Sequence, residues 1–325
     1  MGKRGPCERP PSKGDEQALI EDGVHAFKRF DSEKLASIRQ LADLCNEHDH
    51  IILKLNWDTL QDQKSNSILG FLYFVDEQVV GFLGLYQFQS SEAEVSGMVH
   101  PDYRRQGIFG QLVRAAQEEC LRRNTERFIF ICERRSESGR EYAKSIGANY
   151  SFSEYWMQLG EKKDEDPSNS LSSALKLELR QADPSDIELL TRLNMGGFDV
   201  TEADAREFAQ SSFRSESDKT YIAELLQEGG ELLPIGKIHV QLDENKAFIF
   251  GFCILAAHRK QGYGRWILRH MIHTIKSQNE AAEVALEVAV ENENALGLYT
   301  SCGFQIRNVN DYYDMVLTAE KVQST

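Results

Sequence analysis

Apolar and polar positions follow the same order twice along this chain. In the first half, LGFLYF (69–74), VVGFLGLYQF (79–88) and EAEVSGMVH (92–100) are rich in β-formers and separated by turn residues, and read as three strands. The next stretch, GIFGQLVRAAQEECLRR, places Ile108, Leu112, Ala115 and Ala116 at helical spacing, and RFIFIC (127–132) returns as a buried strand. The second half repeats this with IGKIHVQL (235–242), KAFIFGFCIL (246–255), a helix from GYGRWILRHMIHTIKSQ, and EVALEVAV as the next strand. Each half thus predicts a helical segment, a β-meander, a glycine-containing turn that opens a helix, then strand, helix and strand. The fold class is α+β.

The repetition extends to the residues themselves. HPDYRRQGIFGQLV from His100 matches AAHRKQGYGRWIL from Ala256, about 155 residues on, and YAKSIGA ending at Ala148 matches YTSCGF ending at Phe304 at nearly the same offset. Two matches at one offset point to a duplication. Between the copies, Gly160 to Lys176 is polar, charged and serine-rich, as linkers are. The expected organisation is a flexible tail over 1–22, a first domain over 23–160, a linker over 161–175 and a second domain over 176–325.

Composition narrows the function classes. The formal charge of −14 and pI near 5.1 argue against a general nucleic-acid binder, which needs a basic surface. No apolar run approaches the roughly 20 residues that span a bilayer, and the basic first residues lack the apolar stretch of a secretory signal. Six cysteines, Cys7, Cys45, Cys120, Cys132, Cys253 and Cys302, show neither a CxxC pair nor metal-ligand spacing. These features predict a cytoplasmic protein with reduced thiols, no metal site and no membrane association.

The chemistry lies in the glycine turn. A strand that runs into such a turn and then a helix leaves the first helical N–H groups unpaired, with the positive end of the helix dipole behind them, and phosphate binds there. Glycine allows close approach to the main chain, and Arg259, Lys260 and Arg265 add positive charge. Arg259-Lys260-Gln261-Gly262-Tyr263-Gly264, followed by Leu286-Glu287-Val288, Asn292, Ala295, Leu298-Tyr299 and Gly303-Phe304, resembles the signature of the GNAT acetyltransferases position by position. The resemblance covers the C-terminal half and extends by duplication to the N-terminal half. It implies two tandem acyl-CoA N-acyltransferase domains, each a twisted mixed sheet flanked by helices, with acetyl-CoA as acyl donor in a split between two central strands.

Carried over from the family, Phe252, Cys253 and Ile254 would run along the pantetheine arm, and Lys260 to Arg265 would wrap the pyrophosphate. Asn292 would lie near the pantetheine, Tyr299 would protonate the departing thiolate, and Glu287 matches a strand carboxylate that serves some members as general base. Local readings compete: Asn292 or Asn294 also suits a helix cap, Tyr299 also suits a core position, and Glu287 also suits a half-exposed strand. The N-terminal copy departs from the signature, with Phe109 at the second glycine, Ser136 at the asparagine and Ala143 at the tyrosine, Tyr142 standing one residue off. Glu94 remains there as a carboxylate on the strand before the turn. One intact and one altered copy resembles the layout of mycothiol synthase. The expected function is acetyl transfer to a small-molecule or peptide amine, in the C-terminal half; the rival is a non-catalytic acyl-CoA-binding or sensing protein. Acceptor choice is expected around Asn194 to Ser217, and the sequence leaves the oligomeric state open.

Overall fold

The computed structural model describes residues 21–318, apart from Lys64, Ser90, residues 161–176, Glu216 and Glu244. The expected linker and nearly all of the expected tail lie outside the described residues. The N-terminal half runs β1 (Gly23–Phe27), α1 (Ser32–Asp49), α2 (Trp57–Gln61), β2 (Gly70–Val75), β3 (Gln78–Gln89), β4 (Glu92–Val99), α3 (Ile108–Arg122), β5 (Arg127–Glu133), α4 (Glu137–Ser145) and β6 (Asn149–Leu159). The C-terminal half repeats the order from the strands onward. It runs β7 (Leu177–Gln181), α5 (Ile187–Gly197), α6 (Glu202–Ser211), β8 (Asp218–Leu226), β9 (Leu232–Asp243), β10 (Lys246–Ile254), α7 (Tyr263–Gln278), β11 (Glu283–Ala289), α8 (Glu293–Ser301) and β12 (Phe304–Val316).

Period-two alternation decides which helix each strand residue meets. On β2 and β3, Phe71 and Leu83 point to one face, where α3 contributes Ile108, Leu112, Val113 and Ala116 to a shared core. Their neighbours Leu72 and Phe82 point to the other face and pack with Ile38, Leu41 and Cys45 of α1. In the second half α7 buries Trp266, Ile267, Met271 and Ile275 against β9, β10 and β11, while α5 and α6 bring Leu190, Leu193 and Ala209 onto Ile222 of the opposite face. Each fully buried aliphatic side chain of this kind contributes about 1.5–3 kcal/mol.

The two halves share one twelve-stranded sheet in the order β1-β2-β3-β4-β5-β12-β6-β11-β10-β9-β8-β7. The last strands are exchanged: β12 pairs antiparallel with β5 of the other half, β6 pairs antiparallel with β11, and β12 and β6 pair with each other. The sequence predicts two sheets in tandem, and the exchange joins them into one without free edges at the centre. Each half contributes one parallel pair, β4 with β5 and β10 with β11. These two pairs hold the places where the sheet opens.

Candidate functional site

Strands β10 and β11 stay in register only from Lys246 to Ile249, opposite Glu283 to Leu286. Beyond that point β10 bulges, its pairing to β9 jumping from Phe250 to Cys253. Gly251 in the bulge has a φ of 53°, which glycine adopts most cheaply. Phe250–Ile254 and Glu287–Ala289 therefore part, leaving a split in the sheet. The side chain of Cys253 turns away from that split: its thiol donates to Leu193 O on α5 at 3.5 Å, and burial pushes its pKa up.

The turn after β10 leads into α7 through Lys260 (φ 62°) and Gly262 (φ 86°), and Gly262 is the N-cap with no side-chain hydrogen bond. The first N–H groups of α7 are thus left for an outside acceptor. Nothing stands within 4 Å of where a Gly262 side chain would begin, whereas Gly264 is closed in by Leu298 at 3.2 Å and Ile254 at 3.4 Å. Gly262 keeps the approach open, and Gly264 lets the helix seat against β10 and α8. Arg259, Lys260, Gln261 and Arg265 are exposed. Arg259 Nε donates to Ile254 O at 2.7 Å and Gln261 Nε2 to Ala257 O at 3.2 Å, and among the described residues no carboxylate pairs with Arg259, Lys260 or Arg265. Only the backbone of Tyr263 belongs to the loop, since its side chain is buried in the core.

The N-terminal half carries the same backbone at the same place. Arg105 (φ 63°) and Gly107 (φ 78°) lead into α3, again without a side-chain cap, and β4 and β5 stay paired from Glu92 to Val95 before parting. Its chemistry differs. Arg104 is held by Asp49 at 2.9 and 2.8 Å and by Val99 O, and Arg105 by Glu141 at 2.9 Å, so the loop arginines are neutralised by the protein itself. The Phe109 ring lies edge-on to Tyr142, 4.7 Å between centroids, and against Gly97. In the other half the ring comes from the strand, with Phe252 3.9 Å from where a Gly264 side chain would begin. The aromatic filler has moved from strand to helix, which is how the turn tolerates Phe109. Tyr142 leaves its hydroxyl buried without a hydrogen bond, and Ala143 is buried at the position of Tyr299.

Asn292 caps α8, its Oδ1 accepting from Ala295 N at 3.1 Å; Ser136 caps α4 in the same way through Gly139 N at 3.2 Å. Local capping thus accounts for both residues. Tyr299 is buried on α8 with its ring edge-on to Phe304, and burial pushes its hydroxyl up to about 12. Glu287 is not the half-exposed strand carboxylate that its sequence context also suited. Its Oε2 accepts from Lys54 Nζ at 2.7 Å, and Lys54 also donates to the Tyr312 hydroxyl at 2.6 Å and lies 3.5 Å from Glu154. Burial pushes the Glu287 pKa up, and the Lys54 ammonium opposes that.

Lys54 comes from the loop between α1 and α2, so a residue of the N-terminal half closes onto a strand of the C-terminal half. A single lysine in a loop gives no sequence signal for that. The sequence also gives no hint of Lys237 and His239 on β9, whose strand reads as ordinary alternation yet buries both side chains to 1% exposure. They lie beside the bulge: His239 is paired with Phe250, and Lys237 with Cys253. His239 Nδ1 meets Thr220 Oγ1 at 2.7 Å and its Nε2 is buried without a hydrogen bond. The stretch expected to hold acceptor-specific loops, Asn194 to Ser217, is mostly helix: the end of α5 and all of α6.

Known proteins resemble this chain in sequence and in fold. The family model described as the Acetyltransferase (GNAT) family matches residues 35–147 and again residues 187–304. The chain is 29% identical over 111 residues to the ribosomal protein bS18-alanine N-acetyltransferase of Escherichia coli, covering 34% of this chain and 73% of that protein. It is 26% identical over 158 residues to N-alpha-acetyltransferase 50 of Danio rerio, covering 45% of this chain and 84% of that protein. The fold is similar to that of a GCN5-related N-acetyltransferase from Sphaerobacter thermophilus, at a TM-score of 0.71 and 17% identity over 92% of this chain and 97% of that one. It is also similar to a tandem GNAT protein from the clavulanic acid biosynthesis pathway, at 0.67 and 16% over 92% and 99%. Two family matches, one in each half, agree with a split and a glycine turn that occur twice in one sheet, and the chain belongs to the GNAT acetyltransferase family as a tandem of two such domains.

Proposed function

We propose that this protein transfers the acetyl group of acetyl-CoA to an amine, and that the reaction runs in the C-terminal half. One observation carries the choice of half: among the described residues the α7 turn leaves Arg259, Lys260 and Arg265 without carboxylate partners, while the α3 turn has its arginines bound by Asp49 and Glu141. A pyrophosphate arriving at α7 meets uncancelled positive charge and free N–H groups. The exposed face of that turn, the backbone of Phe252–Ile254 and the neighbourhood of Asn292 would hold the donor.

The thioester carbonyl would be polarised by main-chain N–H groups of β10 past the bulge, and a neutral amine would attack it directly. Tyr299 is the proposed acid for the departing thiolate. The hydroxyl carries its proton at neutral pH, though burial that lifts it to about 12 makes it a weaker acid than an exposed phenol, so its role rests on its place on α8. Glu287 can take a proton only at the expense of its Lys54 ion pair, which makes it a weaker base than a free buried carboxylate. The N-terminal half, with Phe109, Ala143 and neutralised arginines, would shape the acceptor face through Lys54 rather than turn over substrate.

No helix among the described residues is long and apolar enough to cross a membrane, and Cys45, Cys120, Cys132 and Cys253 are buried thiols outside any disulfide. A reducing, cytoplasmic setting with a small-molecule or peptide amine as acceptor fits the reading. The test is thiol release from acetyl-CoA in the presence of a panel of amines, comparing wild type with Tyr299→Phe. The variant keeps the buried ring, so CoA affinity should persist while turnover falls roughly 10²- to 10⁴-fold. Equal rates would make Tyr299 a core residue only.

A further inference from the structure

Lys237 of β9 is buried on the face of the sheet that α5 and α6 cover, and among the described residues it has no counter-ion. The residue is 1% exposed, and no carboxylate pairs with it among the described residues. Its ammonium lies over the Phe208 ring at 4.6 Å and the Phe198 ring at 5.7 Å, from the α5–α6 side. On the sheet side it meets the β10 bulge, where a Gly251 side chain would begin 3.1 Å from Nζ. Gly251, without a side chain, thus leaves the space in which the amine rests. The two rings hold it against the bulged stretch of β10 that no longer pairs with β11. A buried lysine without a partner carries a large desolvation cost, and such groups cluster at functional sites.

We propose that Lys237 is an acetyl acceptor within its own chain: acetyl-CoA bound in the C-terminal split acetylates its Nζ. This rests on the reading of that split as the donor site. The neutral amine attacks the thioester carbonyl, a C–N bond forms, the C–S bond breaks, and the proton lost from nitrogen leaves with the CoA thiol. Nothing beyond acetyl-CoA is required. Burial favours the neutral amine needed for attack and lowers the ammonium pKa to about 8, with only the Cys253 thiol opposing. The charged or titratable neighbours are Cys253 on β10 and His239 on β9, with Asp218 of β8 lying 4.0 Å behind His239; α5 and α6 present phenyl rings. Acetylation would remove the cation and its ring contacts, leaving a neutral amide on the face that α5 and α6 cover.

The full-length protein is incubated with acetyl-CoA and acetylation is read at each lysine by mass spectrometry, with melting temperature followed in parallel. The inference expects Lys237 to be modified at least tenfold faster than any surface lysine, at a rate that rises with pH through about 8 and falls when excess CoA competes for the split. Surface lysines should ignore that competition. If CoA raises the melting temperature and Lys237 stays unmodified, or reacts no faster than surface lysines, the inference is wrong while the donor site stands. If CoA neither stabilises the protein nor slows any acetylation, the donor site falls and takes the inference with it.

Discussion

Glu94 stands on β4 where the N-terminal parallel pair is still closed, paired across to Ile129, and burial lifts its pKa to about 7 from an ordinary 4.5. Lys54 pulls that value down, and Glu154 and Glu287 push it up. In the unfolded chain the group ionises near 4.5, so between 4.5 and 7 the native state keeps a proton that the unfolded state has lost. Its contribution to stability is therefore full below about 4.5 and lost as the pH rises through about 7. Glu94→Gln should stabilise the protein by roughly 1–3 kcal/mol at pH 8 and by almost nothing at pH 4, a range discounted for partial exposure. Urea unfolding of both proteins at the two pH values measures this, and a gain that is equal at pH 4 and pH 8 would rule it out. At this scale the sequence is legible where a residue type has one local job. Gly262 keeps open the turn that its type suggested, and Asn292 makes the cap that its context also suited. Lys237 and His239 are not legible, because strand alternation shows that two side chains share a face but not what will cover it.

Between elements, the contact that matters most joins the α1–α2 loop to β11. Lys54 and Glu287 are 13% and 14% exposed as side chains, so removing one partner leaves a largely buried charge. Lys54→Met should cost about 3–5 kcal/mol, and adding Glu287→Gln should restore more than half of that loss. Double-mutant unfolding measurements decide it: simple additivity of the two changes would mean that the pair does not interact energetically. The three strands of the first meander, β9 and β10 of the second, and the helices after the glycine turns were legible, with ends within two or three residues, because periodicity and turn residues are local signals, whereas β8 went unread. The exchange of β6 and β12 was not. Which strand a β-former pairs with depends here on partners more than a hundred residues away, and both strands would read the same way in two separate sheets.

For the whole molecule, that exchange predicts one cooperative unit. With β12 hydrogen-bonded between β5 and β6, neither half can unfold without exposing an edge of the other. Scanning calorimetry should show a single transition whose calorimetric and van't Hoff enthalpies agree; two resolved transitions would mean that the halves are independent despite the shared sheet. The central claim, that the C-terminal turn receives the donor, is tested most directly by titrating CoA into three folded proteins in a calorimeter: wild type, Gly262→Val and Gly107→Val. The two glycines have nearly the same positive φ, 86° and 78°, and open space where a side chain would begin, so the substitutions strain the two turns alike. The account predicts that Gly262→Val weakens CoA binding at the C-terminal split at least tenfold, about 1.4 kcal/mol, while Gly107→Val leaves it at the wild-type value. Wild-type affinity in Gly262→Val, or its loss in Gly107→Val alone, would contradict it.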